Sequence, residues 1–392
     1  LWGHYTRLVE MRERLLGHLT DLNSRATNLG GLGFTHFSLG QIEQAINYHE
    51  KALTIARKIG DRQRENLWLG SSGSAYRALG WVEQAIELYE RALSISQEIG
   101  DRQRECLWLG HLGIAYRDLG KFEQAISYCE QALVIAREIN YPRRETLWLG
   151  HLGITYRHLG QIKRAIELFK EALAIAKVIG YRRNEAIWLN NLGTAYYTLG
   201  QFNRALGLYE DALVIARELG YRRGESYQLL GMGKVLLAAG QLSQSHQCCT
   251  QALALNVLET NYLVALVLGI VLLQQCCSTA GEAFAGAITH CHSMLDKTIN
   301  LCEPRYALAT SLLGQAICDP RWTDESERAK LLAPALAKYR GALEITSAPG
   351  IVQDALRDLE LIQAADIEGL EPVFKLLETA LKTARQEVHI DH

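Results

Sequence analysis

Proline is scarce in this sequence of 392 residues: there are six, and the first stands at position 142. That excludes a proline-rich linker architecture and permits long uninterrupted helices. Long hydrophobic runs are also missing, since the most apolar stretch, YLVALVLGIVLL at 262–273, has twelve residues where a membrane span needs about twenty. It reads as a buried helix, and no signal-peptide pattern opens the chain. Charge of one sign is lacking as well: 41 Lys and Arg face 43 Asp and Glu, a formal net charge of −2. The halves differ, because residues 257–392 hold 11 Lys and Arg against 18 Asp and Glu, leaving 30 against 25 before them. Neither half is basic enough to announce a nucleic-acid binder, so that partner class is not expected. The nine cysteines are odd in number and include adjacent pairs at 248–249 and 276–277, which is no disulfide framework. Free thiols and a cytoplasmic location are expected.

What the sequence has in abundance is repetition. GDRQRENLWLG at 60–70 recurs as GDRQRECLWLG at 100–110, and rows of forty residues align without a gap. Leu-Gly closes a segment at 39–40, 79–80, 119–120, 159–160 and 199–200, with Ala239–Gly240 a weaker sixth. Each row holds two segments with apolar residues at i, i+3, i+4 and i+7, as in Val82, Ala85, Ile86, Tyr89 and Leu93. That spacing predicts two antiparallel amphipathic helices per row. Gly33, Gly73, Gly113, Gly153 and Gly193 fall mid-helix, where glycine costs about 1 kcal/mol against alanine, so a close helix approach is expected there. Ala45, Ala85, Ala125, Ala165 and Ala205 and, seven residues on, Ala52, Ala92, Ala132, Ala172 and Ala212 give the second helix a tightly packed face.

The duplicated string reads as a joint: Gly60 and Gly100 suit the left-handed residue that ends a helix, and Asp61 and Asp101 suit the N-cap of the next. Later rows write NYPRRE, GYRRNE and GYRRGE, losing that cap. The one difference between the copies, Asn66 against Cys106, reads as a position that the joint leaves unconstrained. Trp68, Trp108, Trp148 and Trp188 form a column expected to pack between neighbouring rows, the alternative being an exposed binding stack.

These columns resemble the tetratricopeptide repeat. Its Leu-Gly-x-x-Tyr and Ala-x-x-x-Tyr/Phe-x-x-Ala patterns are matched by Leu112, Gly113 and Tyr116 and by Ala125, Tyr128 and Ala132, with the second-helix aromatic in register at Tyr89, Phe169 and Tyr209 and displaced beside Cys129 in the third row. The period of forty instead of about thirty-four resembles the Leu-Gly-Asn repeat adaptors and kinesin light chains. The resemblance implies an all-α fold, a right-handed α-α superhelix (a tetratricopeptide solenoid) of antiparallel helix pairs. The expected organisation is a partial helical element at 1–25, five to six repeats over 26–256, and degenerate helical repeats or a C-terminal cap at 257–392. In that tail, pairs are expected at 260–277 with 281–300, 304–318 with 328–346 and 351–364 with 369–388, and the stretch 319–328 is the expected mobile loop. The chain opens on Leu1, and its unpaired first helix reads as the cut end of a longer chain. The tail resembles the sensor regions of bacterial nucleotide-binding signal-transduction ATPases.

By resemblance, function lies in a concave groove lined by the first helices. Its positions map to Ser74, Arg77 and Ala78; Ile114, Arg117 and Asp118; Ile154, Arg157 and His158; and Thr194, Tyr197 and Thr198, with His111, His151, Asn190 and Asn191 beside them. The asparagine with which the family clamps peptides is replaced at Ser74, Ile114, Ile154 and Thr194. The arginines of one column point to a protein or peptide partner that is acidic or acidic-hydrophobic, unless each pairs with a neighbouring acid of its own chain. A second arginine series at the inter-row turns, from Arg62 to Arg223, is followed in each row by a glutamate (Glu65, Glu105, Glu145, Glu185, Glu225) that is expected to balance it.

Chemistry is not expected. The glycine-rich strings lack GxxxxGK[ST] and fall on helix columns, so no nucleotide site follows. Cys248, Cys249, Cys276, Cys277, His290, Cys291, His292 and Cys302 have a metal-like composition without CxxC spacing. A cysteine- or metal-dependent enzyme at 246–302 therefore stands behind a binding module with no catalytic residues, cofactor or metal. Two binding modules remain open: the sensor end of a larger bacterial signalling ATPase, carrying further domains upstream, and a free-standing adaptor that bridges two proteins. No membrane partner is expected.

Overall fold

The computed structural model describes residues 2–296 and 302–390, and among them it is all-α, without a strand. The chain divides into two compact units, residues 1–148 and 149–392. The first unit contains α1 (Trp2–Leu16), α2 (Leu22–Ser38), α3 (Ile42–Ile59), α4 (Arg62–Ala78), α5 (Val82–Glu98), α6 (Arg102–Asp118), α7 (Phe122–Glu138) and the start of α8 (Pro142–His158). The second continues with α9 (Ile162–Val178), α10 (Arg182–Thr198), α11 (Phe202–Glu218), α12 (Arg222–Ala238), α13 (Leu242–Ala254), α14 (Leu258–Gln274), α15 (Ala280–Leu295), α16 (Cys302–Ile317), α17 (Glu325–Ile345), α18 (Pro349–Gln363) and α19 (Glu371–Ile390). Consecutive helices pack as antiparallel pairs in both units, the expected solenoid arrangement.

The joints form as the sequence dictates. Gly60 and Gly100 adopt φ of 73° and 68°, and in the third row Asn140 takes the same left-handed role at φ 51°. Asp61 and Asp101 accept hydrogen bonds from the backbone N–H of Arg64 and Arg104, whereas Tyr181 and Tyr221 make no side-chain cap. Pro142 opens α8, where a missing N–H costs nothing.

Two glycine columns hold the rows together. An added Cβ on Gly70 would lie 2.1 Å from the Trp108 ring, and the same approach joins Gly30 to Trp68, Gly110 to Trp148 and Gly150 to Trp188. The tryptophan column is thus core, its four indoles at most 4% exposed. Within a row, Gly73, Gly153 and Gly193 receive the rings of Tyr89, Phe169 and Tyr209. In the third row Cys129 fills that notch over Gly113, and the displaced Tyr128 stacks on Tyr116 with centroids 5.2 Å apart.

Position 66/106 departs from expectation. Asn66 is fully buried; its Nδ2 donates to Ala92 O at 2.8 Å and Ser96 Oγ at 2.7 Å, and its Oδ1 accepts from Trp108 Nε1 at 2.7 Å. Cys106 takes the same place one row on, its thiol donating to Ala132 O at 3.3 Å and receiving Trp148 Nε1 at 3.2 Å. In these two rows the position supplies the acceptor for the buried indole N–H of the next row; Trp68 Nε1, whose corresponding residue is Ala26, has no partner among the described residues.

The expected mobile loop at 319–328 is also built otherwise. Asp319 caps a 3-10 turn at Pro320–Thr323, Trp322 is 6% exposed, and Arg328 Nε donates to Trp322 O at 3.1 Å. A tryptophan buried in the turn anchors a stretch whose composition suggested solvent. The tail pairs form at α14 with α15, α16 with α17 and α18 with α19.

Candidate functional site

In the first unit, most charged groove positions pair with one another, although Arg77 Nε and His111 Nδ1 are buried without a hydrogen-bond partner among the described residues. Arg77 Nη1 lies 3.0 Å from Asp118 Oδ2, and Arg117 Nη2 lies 3.4 Å from Asp118 Oδ1. Ser74 Oγ donates to Gly70 O and accepts from Tyr89 OH, both near 3.0 Å. Ile114 is buried, and His111 stacks on Tyr89 with centroids 5.3 Å apart. Burial, reinforced by Arg77 and Arg144, lowers the His111 pKa to about 3, so the ring is neutral. The turn arginines are balanced as expected: Arg62 pairs with Glu65 and Glu98, and Arg102 with Glu105 and Glu138.

In the second unit, Arg157, Asn190, Asn191, Thr194 and Tyr197 line one cavity of 220 Å³. Helix periodicity explains the grouping: on α10, positions 190 and 191 lie four and three residues before 194, and 197 lies three after it, so they share a face. Ile154, His151 and His158 do not line this cavity, although His158 Nε2 meets Arg157 Nη2 at 3.1 Å.

The opposite wall was not foreseen. α18 lies along it, and Gly350 sits so near the end of α8 that a Cβ would be 2.2 Å from Arg157 O. Arg157 Nη1 donates to Asp354 Oδ2 at 3.1 Å. The Arg357 guanidinium lies 4.9 Å over the Tyr197 ring and donates to Thr198 O at 3.0 Å. Gln274 Nε2 donates to Leu361 O at 2.7 Å, tying α18 to α14. The Arg157 column position is therefore neutralised by an acid of its own chain. The signal for this was the spacing of Asp354, Arg357 and Asp358, which puts three charges on one face of a helix that otherwise buries Ile351, Val352, Ala355, Leu356, Leu359 and Ile362.

The rest of the cavity combines aromatic and charged groups: Tyr209, Tyr227, Lys234, Glu303, Tyr306 and Asp358. Thr194 Oγ1 and Tyr209 OH are hydrogen bonded at 3.0 Å, and burial pushes the Tyr209 pKa up to about 12. Lys234 Nζ lies 3.7 Å from Asp358 Oδ1, longer than a hydrogen bond, and burial raises the Asp358 pKa. Three buried polar atoms lining the cavity, Asn190 Oδ1, Tyr197 OH and Arg157 Nε, have no hydrogen-bond partner among the described residues.

The cysteine and histidine group is dispersed. Cys249 and Cys291 are buried, and burial pushes both thiols up to about 12, away from the reactive thiolate. Among the described residues no three His, Cys, Asp or Glu gather as a metal site. No helix among them is long and apolar enough to cross a membrane.

A family profile described as tetratricopeptide repeat matches residues 24–98, 63–138 and 143–218. No curated protein sequence matches the chain. Among solved structures, the chain is similar to the Rap conjugation gene regulator of plasmid pLS20 in complex with the Phr* peptide, at 14% identity and TM-score 0.59, over 88% of this chain and 97% of that one. It is similar to the apo quorum sensor NprR from B. thuringiensis, at 14% identity and TM-score 0.56, over 87% and 92%. A third is the STAND ATPase with a tetratricopeptide repeat sensor from Pyrococcus horikoshii, at 18% identity and TM-score 0.53, over 83% of this chain and 46% of that one. Such identities speak to the fold alone. Together with the forty-residue columns and the helix pairs, the profile match shows that this chain belongs to the tetratricopeptide repeat family.

Proposed function

We propose that the chain is a protein-interaction module that binds a protein or peptide segment in the cavity of its second unit. The observation that carries the reading is the set of unpaired polar atoms there, Asn190 Oδ1, Tyr197 OH and Arg157 Nε, in a wall that is otherwise closely packed. Leaving a buried polar atom unmet costs about 1–3 kcal/mol, and a ligand that meets it recovers that cost. At 220 Å³ the space is below the ~300–1,000 Å³ of a drug-sized site and suits one or two side chains of a longer segment. The pLS20 Rap regulator, whose fold is similar, holds a Phr* peptide.

Selection of a displayed random-peptide library on the purified chain tests this. Enriched peptides should lose binding to Asn191→Trp, which adds bulk to the cavity lining, while its helical circular dichroism stays unchanged. Peptides that bind Asn191→Trp as well as the parent chain would place recognition elsewhere.

Similarity of fold to a STAND ATPase with a repeat sensor favours a finer reading, in which this module is the ligand-sensing region of a larger bacterial, cytoplasmic signalling ATPase. A nucleotide-binding domain upstream of Leu1 in the same reading frame supports it; a frame that starts at Leu1 leaves the free-standing adaptor.

A further inference from the structure

The charges around the cavity of the second unit balance. Arg157, Arg357 and Lys234 stand against Asp354, Asp358 and Glu303. Asp354 takes Arg157 at 3.1 Å and Arg357 at 3.4 Å, and Lys234 Nζ lies 3.7 Å from Asp358 Oδ1. A further charge inserted among them gives up its hydration and finds no ion left over to compensate it. An acidic side chain, the kind read from the arginine column, gains nothing here, and a basic one fares no better.

What the cavity leaves unmet is hydrogen bonding of both kinds. Arg157 Nε is a donor, Asn190 Oδ1 an acceptor, and Tyr197 OH can act as either; each is buried without a partner among the described residues. The three side chains share neighbours. Arg157 and Arg357 meet on the carboxylate of Asp354, and the Arg357 guanidinium lies 4.9 Å over the Tyr197 ring. Thr194 Oγ1 donates to Asn190 O at 3.1 Å and meets Tyr209 OH at 3.0 Å, and both Thr194 and Tyr209 line the cavity beside Arg157. A group that answers these atoms carries a donor and an acceptor and no charge. A hydroxyl has its single donor on the same atom as its acceptor, whereas the carboxamide of Asn or Gln separates an acceptor oxygen from a nitrogen with two donors. That separation suits a donor on α8 and an acceptor on α10.

We infer that the segment bound in this cavity inserts an uncharged carboxamide side chain, Gln or Asn, whose oxygen accepts from Arg157 Nε and whose nitrogen donates to Asn190 Oδ1, with Tyr197 OH as the third partner. The inference rests on the cavity being the binding site, as proposed above, and names what that site selects. An apolar side chain of the same size leaves the buried atoms unmet, and a carboxylate of the same shape loses the donor and brings an uncompensated charge.

The selected peptides test it, and the decisive changes are made in the peptide, so the fold of the chain is untouched. The expected result is enrichment of Gln or Asn at one position, with a dissociation constant, read by fluorescence anisotropy, that rises about tenfold or more when that residue is replaced by Met or by Glu. The ratio of carboxamide to Met affinities should hold between about 50 and 500 mM sodium chloride, as a contact without net charge does, and should shrink in Asn190→Ala, which removes the acceptor. Cavity-dependent peptides with a charged or apolar residue at that position overturn the carboxamide inference and leave the binding site standing. A Met ratio near one, as when the cavity bonds the main chain of the segment, or a ratio that Asn190→Ala leaves unchanged, does the same. Peptides indifferent to Asn191→Trp overturn both.

Discussion

Asn66→Ala gives a direct reading of what joins one repeat to the next. The substitution removes the acceptor of the Trp108 indole N–H, and that nitrogen belongs to a side chain 3% exposed, where water cannot replace the bond. An orphaned buried donor costs about 1–3 kcal/mol. The two bonds that Asn66 gives to Ala92 O and Ser96 Oγ go as well, although Ser96 keeps its own bond to Ala92 O at 2.9 Å. The void left by the amide adds about 1 kcal/mol, and relief of the amide's own burial offsets part of this. The sum is a loss of about 3 kcal/mol. Asn66→Cys should cost about 1 kcal/mol, because Cys106 shows that a thiol in this place receives the indole of the next row. Pairing it with Ser96→Ala should restore more, since Cys106 stands opposite Ala136 in the next row. Urea unfolding followed by tryptophan fluorescence reads the differences, with global and local transitions compared because repeat arrays unfold unit by unit. A loss below about 0.5 kcal/mol for Asn66→Ala, or equal losses for Ala and Cys, would refute the indole-acceptor account.

Other consequences follow from the same packing. Gly150→Ala should destabilise by about 2 kcal/mol or more, reversing the usual helical gain of about 1 kcal/mol, because its Cβ would stand 2.1 Å from the Trp188 ring; thermal melts of the two sequences check the sign. Asp101→Ala should cost about 1 kcal/mol in urea unfolding through loss of the bond from Arg104 N. His49 is buried and neutral, its pKa lowered by burial to about 4, so the unfolded chain takes up its proton first as pH falls. Its contribution is intact above about pH 6.5 and shrinks towards pH 4, about 2 kcal/mol being lost by pH 5, before most carboxylates titrate. His111 acts in the same direction, its pKa lowered to about 3 by burial and by the neighbouring Arg77 and Arg144. His49→Tyr, which restores the aromatic of Tyr89 and Tyr209, should flatten the stability profile between pH 6.5 and 5; an unchanged slope would contradict the burial argument.

The fold was legible because repetition multiplies weak signals. One mid-helix glycine or one tryptophan is ambiguous, but the same residue at the same place in successive rows marks a contact that each row makes with its neighbour. The role of Asn66 was hidden for the converse reason: it varies between rows, and its partner Trp108 is 42 residues away. The turn at Pro320–Thr323 looked like loop by composition, and only the burial of Trp322 makes it structure. The cavity-lining residues of α10 were reached through the family resemblance, whereas the wall that faces them was not. Asp354 meets Arg157 across 197 residues of sequence, and no local pattern encodes such a distance. That contact changes the electrostatic meaning of the arginine column from a free cation to one satisfied within the chain.

The central claim is that the second unit binds its partner through the cavity of α10 and α18. The most direct measurement is the affinity of a library-selected peptide for the parent chain and for Asn190→Ala combined with Tyr197→Phe, by isothermal titration calorimetry. The account predicts at least about a tenfold loss, the equivalent of one hydrogen bond to a buried polar group, with the melting temperature maintained. Equal affinities for the two chains would contradict it.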